Sequence, residues 1–173
     1  MNKDEIDLLD KTLSKTNEWL KFAEAKNGAI IAVVCSVMFG VNRIVVNLDE
    51  VPSYLLFYLA AFFSFSFISL VIALSSFIPR LKKPFWLKSN EKSNDDNPFY
   101  FVDACKYDSY SYLKLLGISR SNDNKVAEKM AEQIVINSRI AALKYSLFTT
   151  SAWLFLSALL TPLGVMFIWL LRE

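Results

Sequence analysis

Histidine is absent from this chain of 173 residues, and cysteine and glycine are scarce. Without histidine there is no histidine-based acid–base catalysis, no histidine-dependent triad and no usual zinc site. The two cysteines, Cys35 and Cys105, lie in an apolar run and a polar segment and indicate no disulfide framework. The four glycines form no phosphate-binding loop. We therefore expect a protein that is not an enzyme, with no cofactor, no metal and no nucleic-acid partner.

Long apolar runs are what the chain has in abundance. Residues 54–78 contain no charge, no glycine and no proline. As a helix this run is long enough to cross the roughly 30 Å hydrocarbon core of a bilayer. Two further apolar runs begin at Gly28 and Tyr145. The sequence therefore predicts an all-α membrane protein with three transmembrane helices, two of them extended by cytosolic helical stalks.

The order of polar and apolar segments predicts four parts. Residues 1–27 are expected to form a cytosolic amphipathic stalk helix, and residues 28–79 a two-helix transmembrane hairpin. Residues 80–144 are expected to contain a cytosolic linker and helices, with a second stalk starting at the capping cluster 121–123. Residues 145–171 are expected to form the third transmembrane helix, although Pro162 leaves a re-entrant hairpin open.

Each predicted span has a stripe of small or hydroxyl-bearing residues at helical spacing. Such a stripe indicates either close helix packing or, in an oligomer, a surface that lines water. The stripe residues are Ser36, Gly40 and Arg43 in the first span, Ser66, Ser69, Ala73 and Ser76 in the second, and Ser146, Thr150, Ser157 and Thr161 in the third.

The distribution of basic residues predicts the orientation in the membrane. Residues 1–27 contain five Lys and Arg and residues 80–144 contain twelve, whereas the loop 47–53 contains none. Basic residues are retained on the cytosolic side, so the N-terminus and residues 80–144 are expected there. With eight acidic residues, the second of these segments has a net charge of +4, which suits an anionic ligand or anionic lipid headgroups.

Three stretches together resemble the Pycsar membrane effector family of bacterial antiphage systems. They are KFAEAKNGAIIAV at 21–33, NPFYFVDACKYDSYSYL at 97–113 and AEQIVINSRIAALKYSLF at 131–148. The resemblance implies an effector in the bacterial inner membrane, encoded beside a pyrimidine nucleotide cyclase. It implies that cyclic CMP or cyclic UMP, made during phage infection, triggers membrane damage and abortive infection.

A cyclic nucleotide is a monoanion with one aromatic base, so its site needs a cation and an aromatic or apolar face. Arg120, Lys125 and Arg139 are the candidate phosphate ligands in the predicted cytosolic part. The other partners we expect are membrane lipid and further copies of the chain, since three helices are too few to enclose a water path. A constitutive small channel or transporter subunit, and a membrane adaptor that recruits a cytosolic partner, are the alternatives.

Overall fold

The computed structural model describes residues 3–48, 51–78, 92–93, 95–118 and 125–170. For residues 54 and 161–170 it describes the backbone but not the side chains. This part of the chain contains helices and no strand. The helices are α1 (Lys3–Val46), α2 (Ser53–Ser75), α3 (Phe101–Ala104), α4 (Ser109–Leu115) and α5 (Lys125–Leu170). Helices α1, α2 and α5 are long and apolar enough to cross a membrane, which confirms the predicted fold class of three spans.

The chain divides into two compact units. The first, here called the polar unit, contains residues 1–24 and 79–145, and the second, the apolar unit, contains residues 25–78 and 146–173. Helices α1 and α5 each contribute residues to both units. The side of the membrane on which the polar unit lies stays a prediction.

The ends of α1 and α2 follow from local chemistry. Asp4 and Glu5 lie in the first turn of α1 and Arg43 in its last, which places charges favourably against the helix dipole. The side-chain amide of Asn47 donates to the carbonyl of Arg43 at 2.7 Å and so satisfies one terminal acceptor. Pro52 immediately precedes α2, and its carbonyl accepts the first hydrogen bonds of that helix.

The core of the polar unit is built from α1, α3, α4 and α5. Its buried members are Leu9, Ala104, Tyr107, Tyr112, Leu113, Ile118, Ala127, Ala131, Ile134 and Val135. Helix α1 contributes an apolar stripe at roughly heptad spacing, interrupted by Thr16. Thr16 is buried nonetheless, because its hydroxyl donates to the Thr12 carbonyl within the helix at 2.9 Å.

The aromatic segment that follows Pro98 forms two short helices, α3 and α4. Helix α3 ends at Ala104, and α4 starts after Asp108, whose carboxylate accepts a hydrogen bond from the Ser111 backbone N–H at 3.1 Å. This N-cap gives the chain a new helix start in the middle of the segment.

Gly117 terminates α4. Its φ of 74° is left-handed, its N–H donates to the Lys114 carbonyl, and the next N–H, of Ile118, donates to the Leu113 carbonyl. Leu113 and Ile118 both lie in the core. This pair of hydrogen bonds with its apolar contact is a Schellman motif, in which glycine avoids the strain that a Cβ would cause.

Replacing Gly117 with alanine should destabilise the polar unit by about 1–2 kcal/mol, because an L-residue is strained in the left-handed region. Apart from the neighbours of Gly117 along the chain, no atom of the described residues lies within 4 Å of the position that a Cβ would occupy, so we attribute the loss to backbone strain. Thermal unfolding in detergent, followed by circular dichroism, measures the effect. Gly28→Ala is the matched control, since Gly28 lies inside α1 with the same free space and should gain slightly. Equal stability of the two variants would contradict the prediction.

Candidate functional site

A lysine clamped between two aspartates organises the loop of the polar unit. The Lys106 ammonium lies 2.6 Å from Asp96 and 2.7 Å from Asp103, and the side chains of Lys106 and Asp96 are only 9% and 5% exposed. The Tyr107 hydroxyl donates to the second oxygen of Asp96 at 2.8 Å, and the Ser93 N–H donates to the same carboxylate. The network thus pins the incoming loop to the turn after α3.

These contacts change the acidity of the groups involved. Hydrogen bonds from Lys106 and from the Ser93 backbone lower the pKa of Asp96 to about 2. Hydrogen bonds from Asp103 and Asp96 raise the pKa of Lys106 above its ordinary value. The pKa of Asp108 is also lowered to about 2, mainly by hydrogen bonds from Ser111 at the start of α4. All of these groups therefore stay charged near neutral pH, which suits a structural network.

Arg139 of α5 holds the turn after α3, to which the incoming loop is attached. Its Nε donates to the Cys105 carbonyl at 3.1 Å, and one Nη donates to the Tyr107 carbonyl at 2.6 Å. The two carbonyls lie at the C-terminal end of α3, where backbone acceptors lack helical partners. Arg139 therefore has a structural role in the described residues. Its contact with a phosphate stays a prediction from the sequence.

A chain of amide side chains links α1 to α5. Gln133 donates to the Oδ1 of Asn137 at 2.9 Å, and Asn137 donates to the Oδ1 of Asn17 at 2.7 Å. Further towards the C-terminal ends of the same helices, the Lys144 ammonium lies 2.9 Å from the Glu24 carboxylate. Such polar contacts fix the register of two packed helices, because a slip would leave amides unpaired.

An open groove lies between α1 and the first turns of α5. Leu13, Val126 and Met130 provide its apolar surface, and Lys125, Lys129 and Gln133 complete its lining. Lys129 pairs with Glu132 at 2.7 Å, whereas Lys125 has no ion pair among the described residues. Among the places described, this groove has an apolar face beside an uncommitted cation, the combination that a small aromatic anion requires.

The structure separates the predicted phosphate ligands. Lys125 and Arg139 are both exposed on α5, but fourteen residues of helix place them roughly 21 Å apart along its axis. One small ligand cannot contact both in a single chain. Arg120 lies outside the described residues.

The stripe of α2 lies inside the apolar unit. Ser66, Ser69, Ala73 and Ser76 are all buried. The hydroxyls of Ser69 and Ser151 lie 2.8 Å apart, and each also reaches the other's backbone carbonyl, at 2.8 and 2.9 Å. This reciprocal contact requires the backbones of α2 and α5 to approach closely, as small residues permit in membranes. Ser66 Oγ is buried with no hydrogen-bond partner among the described residues.

The stripes of α1 and α5 lie on the outer surface of the single chain. Ser36, Gly40 and Arg43 are exposed, as are Ser146, Thr150 and Ser157, whereas the side chain of Thr161 lies outside the described residues. The hydroxyls of Thr150 and Ser157 donate to carbonyls one turn earlier in their own helix. These surfaces are available to lipid or to another copy of the chain.

Sequence reasoning missed most of the residues of α1 and α5 that are buried in the apolar unit. The missed residues are Val34, Ser151, Phe155 and Ala158. Ser151 and Ala158 each directly follow a residue of the stripe we predicted, Thr150 and Ser157, so the buried face is rotated by one residue around α5. The sequence did contain one signal, since the hydroxyl of Ser151 could pair with the serine stripe of α2. Spacing alone, however, could not choose between the two faces of α5.

No group of three or more metal-binding side chains occurs in the described part of the chain. A family model described as the Pycsar effector protein domain matches residues 8–171. The search of curated proteins and the search of solved structures gave no match. The family match therefore covers the polar and apolar units alike.

Lowering the pH should destabilise the polar unit in a way that depends on Asp96. Because the folded-state pKa of Asp96 lies below its ordinary value of 3.8, its stabilising effect is present above that value and is lost as the pH falls towards 2. Asp96→Asn should therefore unfold more readily at pH 6 and show a smaller further loss between pH 4 and 2, as measured by thermal unfolding in detergent. Asp95→Asn, at the exposed neighbouring position, is the control and should respond to pH like the unmodified chain. Identical pH profiles for the two variants would contradict the assigned role.

Proposed function

The chain belongs to the Pycsar effector family, and from this membership we propose that it senses cyclic CMP or cyclic UMP and then impairs the inner membrane. Membership of the family supports an antiphage membrane effector role. It also supports activation by a cyclic nucleotide, without identifying which one. It also suggests an effector that is not an enzyme. Abortive infection, in which the cell dies before phage mature, is the outcome we propose for the host.

One observation supports this function most directly: helices α1 and α5 each run through both units. The messenger would bind one arrangement of these helices in the polar unit better than another. Binding could then shift the population of arrangements in the apolar unit, to the extent of that difference in affinity. The amide contacts between Asn17, Asn137 and Gln133 are polar contacts that such a shift would rearrange.

We propose that the described structure resembles the resting state. The serine stripe of α2 is buried, and Ser69 and Ser151 satisfy one another. Interhelical hydrogen bonds in membranes contribute only about 0.6 kcal/mol on average, so ligand binding could supply enough free energy to break them. The unpaired Ser66 hydroxyl would gain hydrogen bonds if water reached it.

Membrane damage would require several copies of the chain. Three helices cannot surround a water path, whereas an oligomer could bring the exposed stripes of α1 and α5 to a shared axis. Arg43, exposed in the last turn of α1, would then lie at one mouth of such a path.

For orientation, we propose that the N-terminus and residues 80–144 are cytosolic, because five and twelve basic residues lie there. Reporter fusions after Lys83 and after Glu173 should then report opposite sides of the inner membrane. Reports from the same side would contradict this topology, because α5 continues as one helix to Leu170.

A constitutive channel and a membrane adaptor remain the competing functions. A channel would depolarise cells without any messenger. An adaptor would cause no conductance in any state. Membrane potential measured with and without the messenger therefore separates the gated effector, the constitutive channel and the adaptor.

Cells that produce the protein together with an active pyrimidine cyclase should lose membrane potential and stop growing. With a catalytically dead cyclase they should keep both, because the resting arrangement buries the α2 stripe. A potential-sensitive dye measures the difference. Depolarisation with the dead cyclase would indicate a constitutive channel, and none with the active cyclase would favour the adaptor.

Ser36→Leu is the informative variant in this assay, with Cys35→Leu as its matched control. The two positions are adjacent and exposed on α1, but only Ser36 lies on the stripe. Ser36→Leu should abolish depolarisation while the protein still inserts, whereas Cys35→Leu should leave it unchanged.

Cyclic CMP or cyclic UMP should bind the purified full chain, with Lys125 contacting the phosphate. Lys125→Ala should weaken binding roughly ten- to a hundredfold, since a hydrogen bond to a charged group contributes about 1.5–3 kcal/mol. Isothermal titration calorimetry measures the affinity. Lys129→Ala, one turn along the same groove, should change it little, because Lys129 already pairs with Glu132. If Lys125→Ala binds normally, the phosphate contact passes to Arg139 or Arg120.

A further inference from the structure

Large aromatic side chains are exposed at one end of the polar unit. Phe22 is 52% exposed, Phe99 43% and Tyr100 42%. Phe22 lies one helical turn after Trp19 on α1, and Phe99 and Tyr100 directly precede α3. Aromatic side chains left in water forfeit much of the benefit of burial, so their exposure points to contact with another surface.

These side chains are tied to the start of an apolar helical segment. The ring centroids of Tyr100 and Phe101 lie 5.0 Å apart, and the Phe101 ring stacks on that of Tyr145 with a centroid distance of 5.1 Å. The Trp19 ring contacts both Phe101 and Tyr145, at 5.4 and 6.4 Å. Tyr145 is the residue of α5 that follows Lys144, and no further charged residue occurs before Arg172. Phe99 and Tyr100 are therefore held close to the point where α5 changes from charged to apolar.

A similar change occurs on α1. Glu24, which pairs with Lys144, and then Lys26 are the last charged residues before an apolar stretch that continues to Arg43. Phe22 lies half a turn before Glu24. In membrane proteins, aromatic and lysine side chains gather at this boundary, where the ring meets acyl chains and the polar end meets headgroups.

The backbone of the segment 97–100 suits this environment. The Asn97 N–H donates to Asp103, the Phe99 N–H to the Asn97 side chain, and the Tyr100 N–H to the Asn97 carbonyl. Pro98 has no N–H, and its carbonyl accepts from the buried Tyr112 hydroxyl at 2.8 Å. With its donors satisfied internally, the turn can leave water at little cost.

We propose that Phe99 and Tyr100 form an interfacial anchor, inserted among the lipid headgroups on the side of the membrane where the polar unit lies. The occupant of this surface is the bilayer itself. The anchor couples the loop before α3 to the lipid surface and requires neither the messenger nor an oligomer.

Spin-label accessibility on the full chain tests this proposal. The protein, with Cys35→Ser and Cys105→Ser, is reconstituted into phosphatidylethanolamine–phosphatidylglycerol vesicles and labelled at Phe99→Cys or Tyr100→Cys. Collisions with oxygen, which concentrates in lipid, are compared with collisions with a water-soluble nickel chelate. Tyr110→Cys is the aqueous control, since Tyr110 is 54% exposed on α4. Native Cys35, exposed in the apolar part of α1, is the lipid control in the Cys105→Ser chain.

The expected ratio of oxygen to nickel collisions at positions 99 and 100 is several times that at 110 and lies below that at Cys35. A ratio equal to that at 110 would show that the two side chains are in water and would overturn the proposal. Labels inaccessible to both reagents would also overturn it, because they would indicate a covering protein surface. Since 99 and 100 are tested separately, a folding defect in one variant leaves the other decisive.

Discussion

Inside a bilayer, a polar group has no water to bind, and the apolar half of this protein is arranged around that constraint. Helices satisfy the backbone by themselves, which explains why α1, α2 and α5 are long and unbroken there. Several side-chain hydroxyls find partners within the protein too. Thr150 and Ser157 use carbonyls of their own helix, and Ser69 and Ser151 use one another. The last pair determines which faces of α2 and α5 meet.

The polar unit solves a different problem with charge. Residues 88–97 contain no apolar side chain, so burial alone could not hold this segment. Lys106 between Asp96 and Asp103 supplies a nearly buried ion-pair network. Arg139 then ties the turn after α3 to α5 through the backbone carbonyls of Cys105 and Tyr107. Removing one partner of such a network leaves an uncompensated charge, so these residues act together.

The position of Arg139 bears on how a signal could pass along the chain. A cation committed to two carbonyls is costly to divert to a ligand, whereas Lys125 has no such commitment among the described residues. A ligand near Lys125 would act on the helix pair α1–α5 at the far end from Tyr145. The amide contacts of Asn17 and Asn137 lie between those two levels of α5. This ordering favours a change of helix register or tilt over a local change in one loop.

The sequence by itself determined the fold class, the three spans and the end of α4 at Gly117. Long uncharged runs leave a helix as the sole solution in lipid, and a glycine after a short amphipathic segment indicates a left-handed cap. The three stretches that resemble the Pycsar effectors were also readable from the residues, and the family model confirms that membership.

Only the tertiary structure decided which faces pack and which cations are committed. Spacing marked a stripe containing Ser157 on α5, yet Ser151, Phe155 and Ala158 are the buried residues, because several faces of an apolar helix share the same period. Arg139 and Lys125 looked alike as charges on one helix. Their difference comes from residues thirty or more positions away that fold back onto one of them, and no local pattern contains that information.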